Sequence, residues 1–103
     1  MQIDEIDLLK TKIAEQLSPL KIYLFGSFAE GRQTADSDYD FYVVVSDDTK
    51  DMVETTAKAY KSIRQIKQRP VDIIIGTNSR FEERKYKATL ENEVFTKGVL
   101  IYG

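Results

Sequence analysis

The sequence contains no cysteine and no histidine among its 103 residues. Without cysteine the chain can form neither a disulfide bond nor a thiolate zinc site, and an intracellular protein is the natural expectation. Without histidine, a general base has to be a carboxylate, a lysine or a tyrosine. Any metal ion would therefore be held by oxygen ligands.

The chain also lacks a long apolar run and a large net charge. No apolar stretch approaches the roughly 20 residues that span a bilayer, and the N-terminus lacks a signal-peptide pattern, so we expect a cytoplasmic protein without a membrane contact. The net charge of −2 gives no general attraction to nucleic acid, and we expect no direct nucleic-acid binding. The length and the 42% apolar content predict a single domain over residues 1–103.

Hydrophobic periodicity predicts four helices and four strands in the order α-β-α-β-α-β-α-β. The predicted strands are short apolar runs at residues 21–25, 39–45, 71–75 and 99–102. The predicted helices cover residues 4–17, 27 to about 31, a start within 46–49 to about 68, and 81–95. This pattern predicts an α+β (mixed α/β) fold, in which helices cover a small mixed β-sheet.

Two acidic residues stand at the start of the second predicted strand. Asp38 and Asp40 are two positions apart, so an extended chain directs both to one face, roughly 6.6 to 6.8 Å apart. Tyr39 and Phe41 then turn to the other face. The two carboxylates repel each other, and a divalent cation such as Mg²⁺ or Mn²⁺ relieves that repulsion. Taken alone, the same residues are more often a polar turn before a strand, because aspartate and serine are common in turns.

A glycine and a serine follow the first predicted strand. Gly26 allows a ligand to approach the backbone closely, and the hydroxyl of Ser27 can cap a short helix or contact a phosphate. The start of such a helix presents unpaired N–H groups that bind phosphate oxygens. A Gly-Ser cap without any ligand would have the same sequence.

A third acid, Asp72, lies within an otherwise apolar predicted strand. Burying its carboxylate is costly unless the group is paired or bound to a metal ion. An edge strand would instead leave the carboxylate hydrated. The sequence is compatible with both arrangements.

Taken together, these motifs resemble the DNA polymerase beta-like nucleotidyltransferase superfamily. The resemblance rests on Gly26-Ser27, on Gly31, on Ser37-Asp38-Tyr39-Asp40 before a strand, and on the isolated Asp72. The chain length and the ending at Gly98-Val99-Leu100-Ile101-Tyr102 are similar to stand-alone minimal nucleotidyltransferases. The resemblance implies the nucleotidyltransferase fold over nearly the whole chain.

The resemblance also implies roles for individual residues. Asp38, Asp40 and Asp72 match the metal-binding and catalytic triad of the family, and Gly26 and Ser27 match its nucleotide-binding loop. The implied cofactor is Mg²⁺, as two ions for which Mn²⁺ can substitute, and the implied substrate is ATP. Asp72 would hold only the catalytic ion and could accept the proton of the acceptor.

One position departs from the family pattern. Many relatives carry arginine where this chain has Glu30, and a carboxylate near a triphosphate would weaken nucleotide binding. We expect Arg32 to take over part of that nucleotide-binding role.

The resemblance finally implies a partner. Small members of the family pair with a helical HEPN-type protein encoded alongside, and act as antitoxins by transferring AMP to a tyrosine of that toxin. We therefore expect an oligomer or a hetero-complex, with transfer of AMP from ATP to a hydroxyl of the partner. Two alternatives are a catalytically weak or inactive binding subunit with this fold, and an enzyme that nucleotidylates a small molecule.

Overall fold

The computed structural model describes residues 2–103, with side chains from Glu5 onward. Its helices are α1 (Gln2–Leu17), α2 (Met52–Ile63), α3 (Asn78–Arg84) and α4 (Leu90–Lys97). Its strands are β1 (Lys21–Phe25), β2 (Tyr39–Val45), β3 (Val71–Thr77) and β4 (Val99–Tyr102). None of the helices in the described part of the chain has both the length and the apolar character needed to cross a membrane.

The four strands form one mixed sheet in the order β3-β2-β1-β4. β2 and β3 are parallel, whereas β1 is antiparallel to both of its neighbours, β2 and β4. This mixed sheet, together with its covering helices, confirms the predicted α+β fold class.

The hydrophobic core lies on both faces of the sheet. On one face, Phe41 and Val43 of β2 pack with buried residues of α1 and α2. On the other face, Tyr42 packs with Phe81 of α3 and Val94 of α4. Because side chains alternate along a strand, Asp40 shares the α3 and α4 face with Tyr42. Asp40 thus points to the opposite face of the sheet from Tyr39 and Phe41, as predicted.

The predicted order of elements was wrong in two places, and the observed order is α-β-β-α-β-α-α-β. The short helix expected after Gly26 is a turn. The helix expected over 81–95 is divided into α3 and α4. Thr89 explains this division, because its hydroxyl accepts a hydrogen bond from Asn92 N and donates one to Arg84 O. Its side chain therefore caps the start of α4 just after α3 has ended.

The predicted bounds of the long helix were also wrong at both ends. The helix begins after Asp51, whose carboxylate accepts a hydrogen bond from Glu54 N at 2.9 Å, and not within residues 46–49. It ends at Ile63, five residues before Gln68, whose N–H instead donates to the carboxylate of Glu5 at 2.7 Å. A contact with α1, distant in sequence, thus replaces the last turn that local periodicity predicts.

The outer edge of β3 is held by a tyrosine of α2. The hydroxyl of Tyr60 accepts a hydrogen bond from Ile73 N at 2.9 Å and lies 3.4 Å from Ile73 O. These backbone groups of an edge strand would otherwise be open to another chain. The bonds fix the strand directly beside Asp72.

Candidate active site

The turn after β1 lies against the carboxylate of Asp40. Phe25, the last residue of β1, is paired with Asp40 across the antiparallel ladder, so Gly26 follows immediately beside that side chain. Gly26 has φ +76°, and a Cβ at this position would collide with Asp40 Oδ2. Both the backbone conformation and the lack of space therefore require glycine here.

Residues 26–31 form a hydrogen-bonded turn in place of the predicted helix. Glu30 N donates to Gly26 O at 3.2 Å, and Arg32 N donates to Ser27 O at 2.9 Å. Within the part of the chain that the structure describes, the N–H groups of Ser27 and Phe28 have no hydrogen-bond acceptor. Such unpaired N–H groups are what a helix start offers an anion, so the turn keeps that capacity without the helix.

The three acids lie at the start of two neighbouring strands. Asp40 and Asp72 are direct partners in the parallel register of β2 and β3, which places their backbones about 4.8 Å apart. Asp38 immediately precedes β2 and is half-buried. Asp72 is exposed on an edge strand, so it is both hydrated and adjacent to Asp40.

The electrostatics of Asp40 reflect this crowding. Burial and the negative charges of Asp72, Asp38 and Glu93 raise its pKa from 3.8 to about 6. Burial is the largest of these causes, and the acidic neighbours follow in the order given. Each of them disfavours the ionised form of the carboxyl. A cation placed among these groups would reverse that effect.

The donor set fits a magnesium ion, although no cage for it is already formed. Among the residues described, no three acidic side chains converge closely enough to hold a metal ion as they stand, and no lysine or arginine forms an ion pair with Asp38, Asp40 or Asp72. Magnesium keeps several of its waters and binds through one or two carboxylates. Two adjacent carboxylates with a third nearby therefore meet its needs, and the metal-binding role of the three acids stays a prediction.

Glu30 and Arg32 lie next to each other at the end of the turn. Their side chains form an ion pair with Arg32 Nη2 3.3 Å from Glu30 Oε2, and the arginine is largely exposed. The carboxylate of Glu30 is thus partly neutralised, but by the same guanidinium that was expected to bind nucleotide. The nucleotide-binding role of Arg32, like that of Gly26 and Ser27, stays a prediction.

Two residues near the site were not found from the sequence. Glu93 of α4 is close enough to Asp40 to raise the pKa of that carboxyl. Arg69 donates a hydrogen bond to the carbonyl of Ser37, the residue before Asp38. Glu93 had no local signal, because only the packing of α4 against the sheet brings it there. Arg69 could have been noticed as a charged residue immediately before Pro70 and β3, but that position looked like a helix end.

Residues 6–96 of the sequence match the family described as a nucleotidyltransferase domain. The chain belongs to this family. The match confirms the resemblance that the Gly-Ser and Asp-x-Asp motifs indicated, and it establishes the protein as a nucleotidyltransferase by family. No protein among those of curated function is similar enough in sequence to be counted as a relative.

Two solved structures are similar to this nucleotidyltransferase. One is a crystal structure of a toxin–antitoxin with AMP-PNP, with 25% identity and a TM-score of 0.67, covering 94% of this chain and 73% of that chain. The other is a toxin–antitoxin, a mutant of MntA-HpeT, with 22% identity and a TM-score of 0.65, covering 94% of this chain and 72% of that chain. The second likeness is one of fold. Both structures belong to toxin–antitoxin systems, the setting that the sequence resemblance implied.

Proposed function

We propose that this nucleotidyltransferase transfers AMP from ATP to a hydroxyl of a partner protein, a HEPN-type toxin for which it serves as the antitoxin. The observation that carries the proposal is the register of Asp40 with Asp72, with the turn at Gly26 against the same carboxylate. This arrangement puts a group of anions next to a set of free N–H groups. A metal-bound triphosphate needs both kinds of neighbour.

On this proposal, Asp38, Asp40 and Asp72 hold Mg²⁺. When held there, Mg²⁺ would supply positive charge against the triphosphate and the leaving pyrophosphate. We expect Asp40 to respond most to the metal, because its carboxylate lies against the turn at Gly26 and the other two acids raise its pKa. The N–H groups of Ser27 and Phe28 orient the phosphate oxygens.

The transfer itself is an in-line displacement at the α-phosphorus of ATP. The acceptor oxygen forms a new bond to phosphorus, and the bond from phosphorus to the pyrophosphate oxygen breaks. The proton of the acceptor hydroxyl passes to the carboxylate of Asp72. Because this reaction depends mainly on positioning and charge stabilisation, a protein without histidine can carry it out.

The position of Asp72 favours a macromolecular acceptor. Asp72 is exposed on the edge strand β3, and Ile74, two residues along on the same face, is 40% exposed. A hydroxyl on the surface of a large partner can reach this edge without entering a narrow cleft. A toxin–antitoxin setting among the similar structures supports the same kind of acceptor.

A second candidate, a weak or inactive binding subunit, is favoured by Glu30. Its carboxylate lies in the turn, and it pairs with the arginine that would otherwise be free to bind phosphate. ATP binding with and without Mg²⁺ separates the two candidates. ATP binding that requires Mg²⁺ supports the enzyme. Absence of ATP binding at millimolar Mg²⁺ and ATP would support the inactive binding subunit.

The decisive experiment is mass spectrometry of the protein encoded by the neighbouring gene after incubation with this chain, ATP and Mg²⁺. We expect the added mass of AMP on that partner, mapped to a tyrosine. The matched control is Asp72→Asn, which should still bind Mg²⁺ and ATP but should not modify the partner. Modification by Asp72→Asn at the rate of the parent chain would contradict the role given to Asp72.

A further inference from the structure

Arg69 makes contacts with three parts of the site while lying outside it. Its guanidinium Nη1 donates hydrogen bonds to the carbonyls of Ser37 at 2.9 Å and Ala35 at 3.4 Å. Its guanidinium carbon lies 5.0 Å from the ring centroid of Phe28 and 5.3 Å from that of Tyr39. A single side chain thus contacts two carbonyls and two aromatic rings.

Each of these contacts belongs to a different part of the candidate site. Phe28 lies in the turn that begins at Gly26, and its ring is 4.6 Å from that of Tyr39. Ser37 immediately precedes Asp38, and Tyr39 lies between Asp38 and Asp40. Arg69 itself is three residues before Asp72. The guanidinium therefore connects the turn of residues 26–31, the loop that precedes Asp38 and the start of β3.

A second set of bonds holds the same region from α1. The carboxylate of Glu5 accepts hydrogen bonds from the hydroxyl of Tyr39 and from Gln68 N, both at 2.7 Å. Tyr39 N also donates to Pro70 O at 3.1 Å. The backbone on either side of Arg69 is thereby fixed to the strand that carries Asp40. The arginine has little freedom to leave the loop of Asp38.

We infer that Arg69 is a positioning residue, which sets the conformation of residues 35–38 and hence the place of Asp38 relative to Asp40 and Asp72. The expected effect on metal affinity rests on the proposed function. The effect of Arg69 on the loop conformation does not depend on that function. Residues 35–38 have no regular secondary structure, so the carbonyls of Ala35 and Ser37 depend on a side-chain donor for their orientation. Arg69 contacts the ring of Tyr39, a side chain that alternation along β2 directs to the opposite face from Asp40, so we do not expect the arginine to touch substrate.

The geometry requires arginine and not only a positive charge. A planar guanidinium can lie over two rings and direct N–H groups to two carbonyls at the same time. A lysine ammonium offers a point charge without that plane. If Arg69 acted only through its charge on the nearby acids, lysine would replace it fully.

The test compares Arg69→Lys and Arg69→Gln with the parent chain and with Asp51→Ala. Asp51 caps α2 at the far end of β2 from the acids, so its loss destabilises the fold without touching the site. Two quantities are measured for each variant. The first is hydrogen exchange at the amides of residues 35–39 by NMR without any ligand, and the second is the dissociation constant for Mn²⁺.

We expect both Arg69 variants to lose protection at the amides of Ser37 and Tyr39 and to bind Mn²⁺ about tenfold more weakly. Asp51→Ala should lower thermal stability while leaving both quantities unchanged. Parent-like exchange and Mn²⁺ affinity in Arg69→Lys would overturn the inference, as would the same loss in Asp51→Ala. If the parent binds no Mn²⁺, the proposed function fails, and the exchange measurement alone decides whether Arg69 orders the loop.

Discussion

Two carboxylates on the same face of the sheet have opposite environments. Glu91 on α4 is 5% exposed, and it accepts hydrogen bonds from the hydroxyl of Tyr42 at 2.8 Å and from Arg84 Nε at 3.0 Å. Burial would raise its pKa, but these hydrogen bonds outweigh burial and the pKa is lowered. Asp40, two residues before Tyr42, has acids for neighbours and a raised pKa.

The difference separates a carboxylate that is paired within the fold from one to which we assign a functional role. The charge of Glu91 is neutralised by the fold, and its removal should affect stability. Asp40 lies beside like charges, which disfavour the ionised form of its carboxyl. Such an arrangement is typical of functional sites, where a bound ligand can compensate for the repulsion. The same face of the sheet therefore lies beside one acid, Glu91 of α4, that is paired within the fold, and carries another, Asp40 of β2, that we propose binds a cation.

The largest expected effect comes from removing the charge of Asp40. Asp40→Asn should weaken Mg²⁺-dependent ATP binding by about a hundredfold or more, because the central carboxylate of the acid group is lost. Calorimetric titration of ATP at fixed Mg²⁺ measures the change. Glu91→Gln serves as the matched control and should bind ATP with the affinity of the parent. Equal affinity in Asp40→Asn and the parent would remove Asp40 from the site.

The next effect is on stability, for which Glu91 should matter more than Asp40. Glu91→Gln should reduce the free energy of unfolding by about 2 kcal/mol, because it leaves Arg84 without its counter-charge in a partly buried position. Urea denaturation measures this loss. Glu54→Gln, which breaks an exposed pair with Lys58, should cost less than about 0.5 kcal/mol. A loss no greater than that of the control would show that the buried pair adds nothing.

The pH dependence of stability should have opposite signs for the two acids. The raised pKa of Asp40 means that its contribution is fully present below 3.8 and is lost as the pH rises through about 6. The lowered pKa of Glu91 means that its contribution is present above 4.5 and is lost as the pH falls through the folded value.

Urea denaturation of Asp40→Asn and the parent between pH 4 and pH 7 tests the first sign. After allowance for solvent screening, the variant should gain about 1 kcal/mol on the parent over this range without metal. Saturating Mg²⁺ should remove that advantage. A difference that is independent of pH would show that the fold does not raise the pKa of Asp40.

The smallest effect is expected at Glu30. Glu30→Gln removes a negative charge from the turn and releases Arg32, so ATP affinity should rise about threefold, equivalent to less than 1 kcal/mol. Glu15→Gln on α1, which breaks an exposed pair with Lys12, is the control and should leave affinity unchanged. Weaker ATP binding in Glu30→Gln would mean that the carboxylate supports the site.

Local sequence patterns predicted the elements whose apolar and polar residues recur with a regular period. The strand β2 and the placement of Asp40 opposite Phe41 follow from a period of two, and the helix that carries Leu9 and Ile13 follows from its apolar stripe. The neighbourhood of Asp72 and Asp40 was expected only through family resemblance, because a parallel register joins residues far apart in sequence.

The features that were missed depend on tertiary contacts. The turn at Gly26 replaces a helix where the carboxylate of Asp40 lies against the backbone. The early end of α2 follows from the bond between Gln68 and Glu5. The contacts of Arg69 with Phe28 likewise have no local pattern, since 41 positions separate these residues in the sequence. Periodicity contains no information about such partners.

If the acid group around Asp40 is a cation site, Mg²⁺ must change the pKa of the Asp40 carboxyl. The most direct measurement is the pKa of the Asp40 carboxyl by ¹³C NMR, first without metal and then with Mg²⁺. We expect a pKa of about 6 without metal and a pKa lower by at least about one when Mg²⁺ saturates the site. A carboxyl whose pKa does not respond to Mg²⁺ would contradict the cation site.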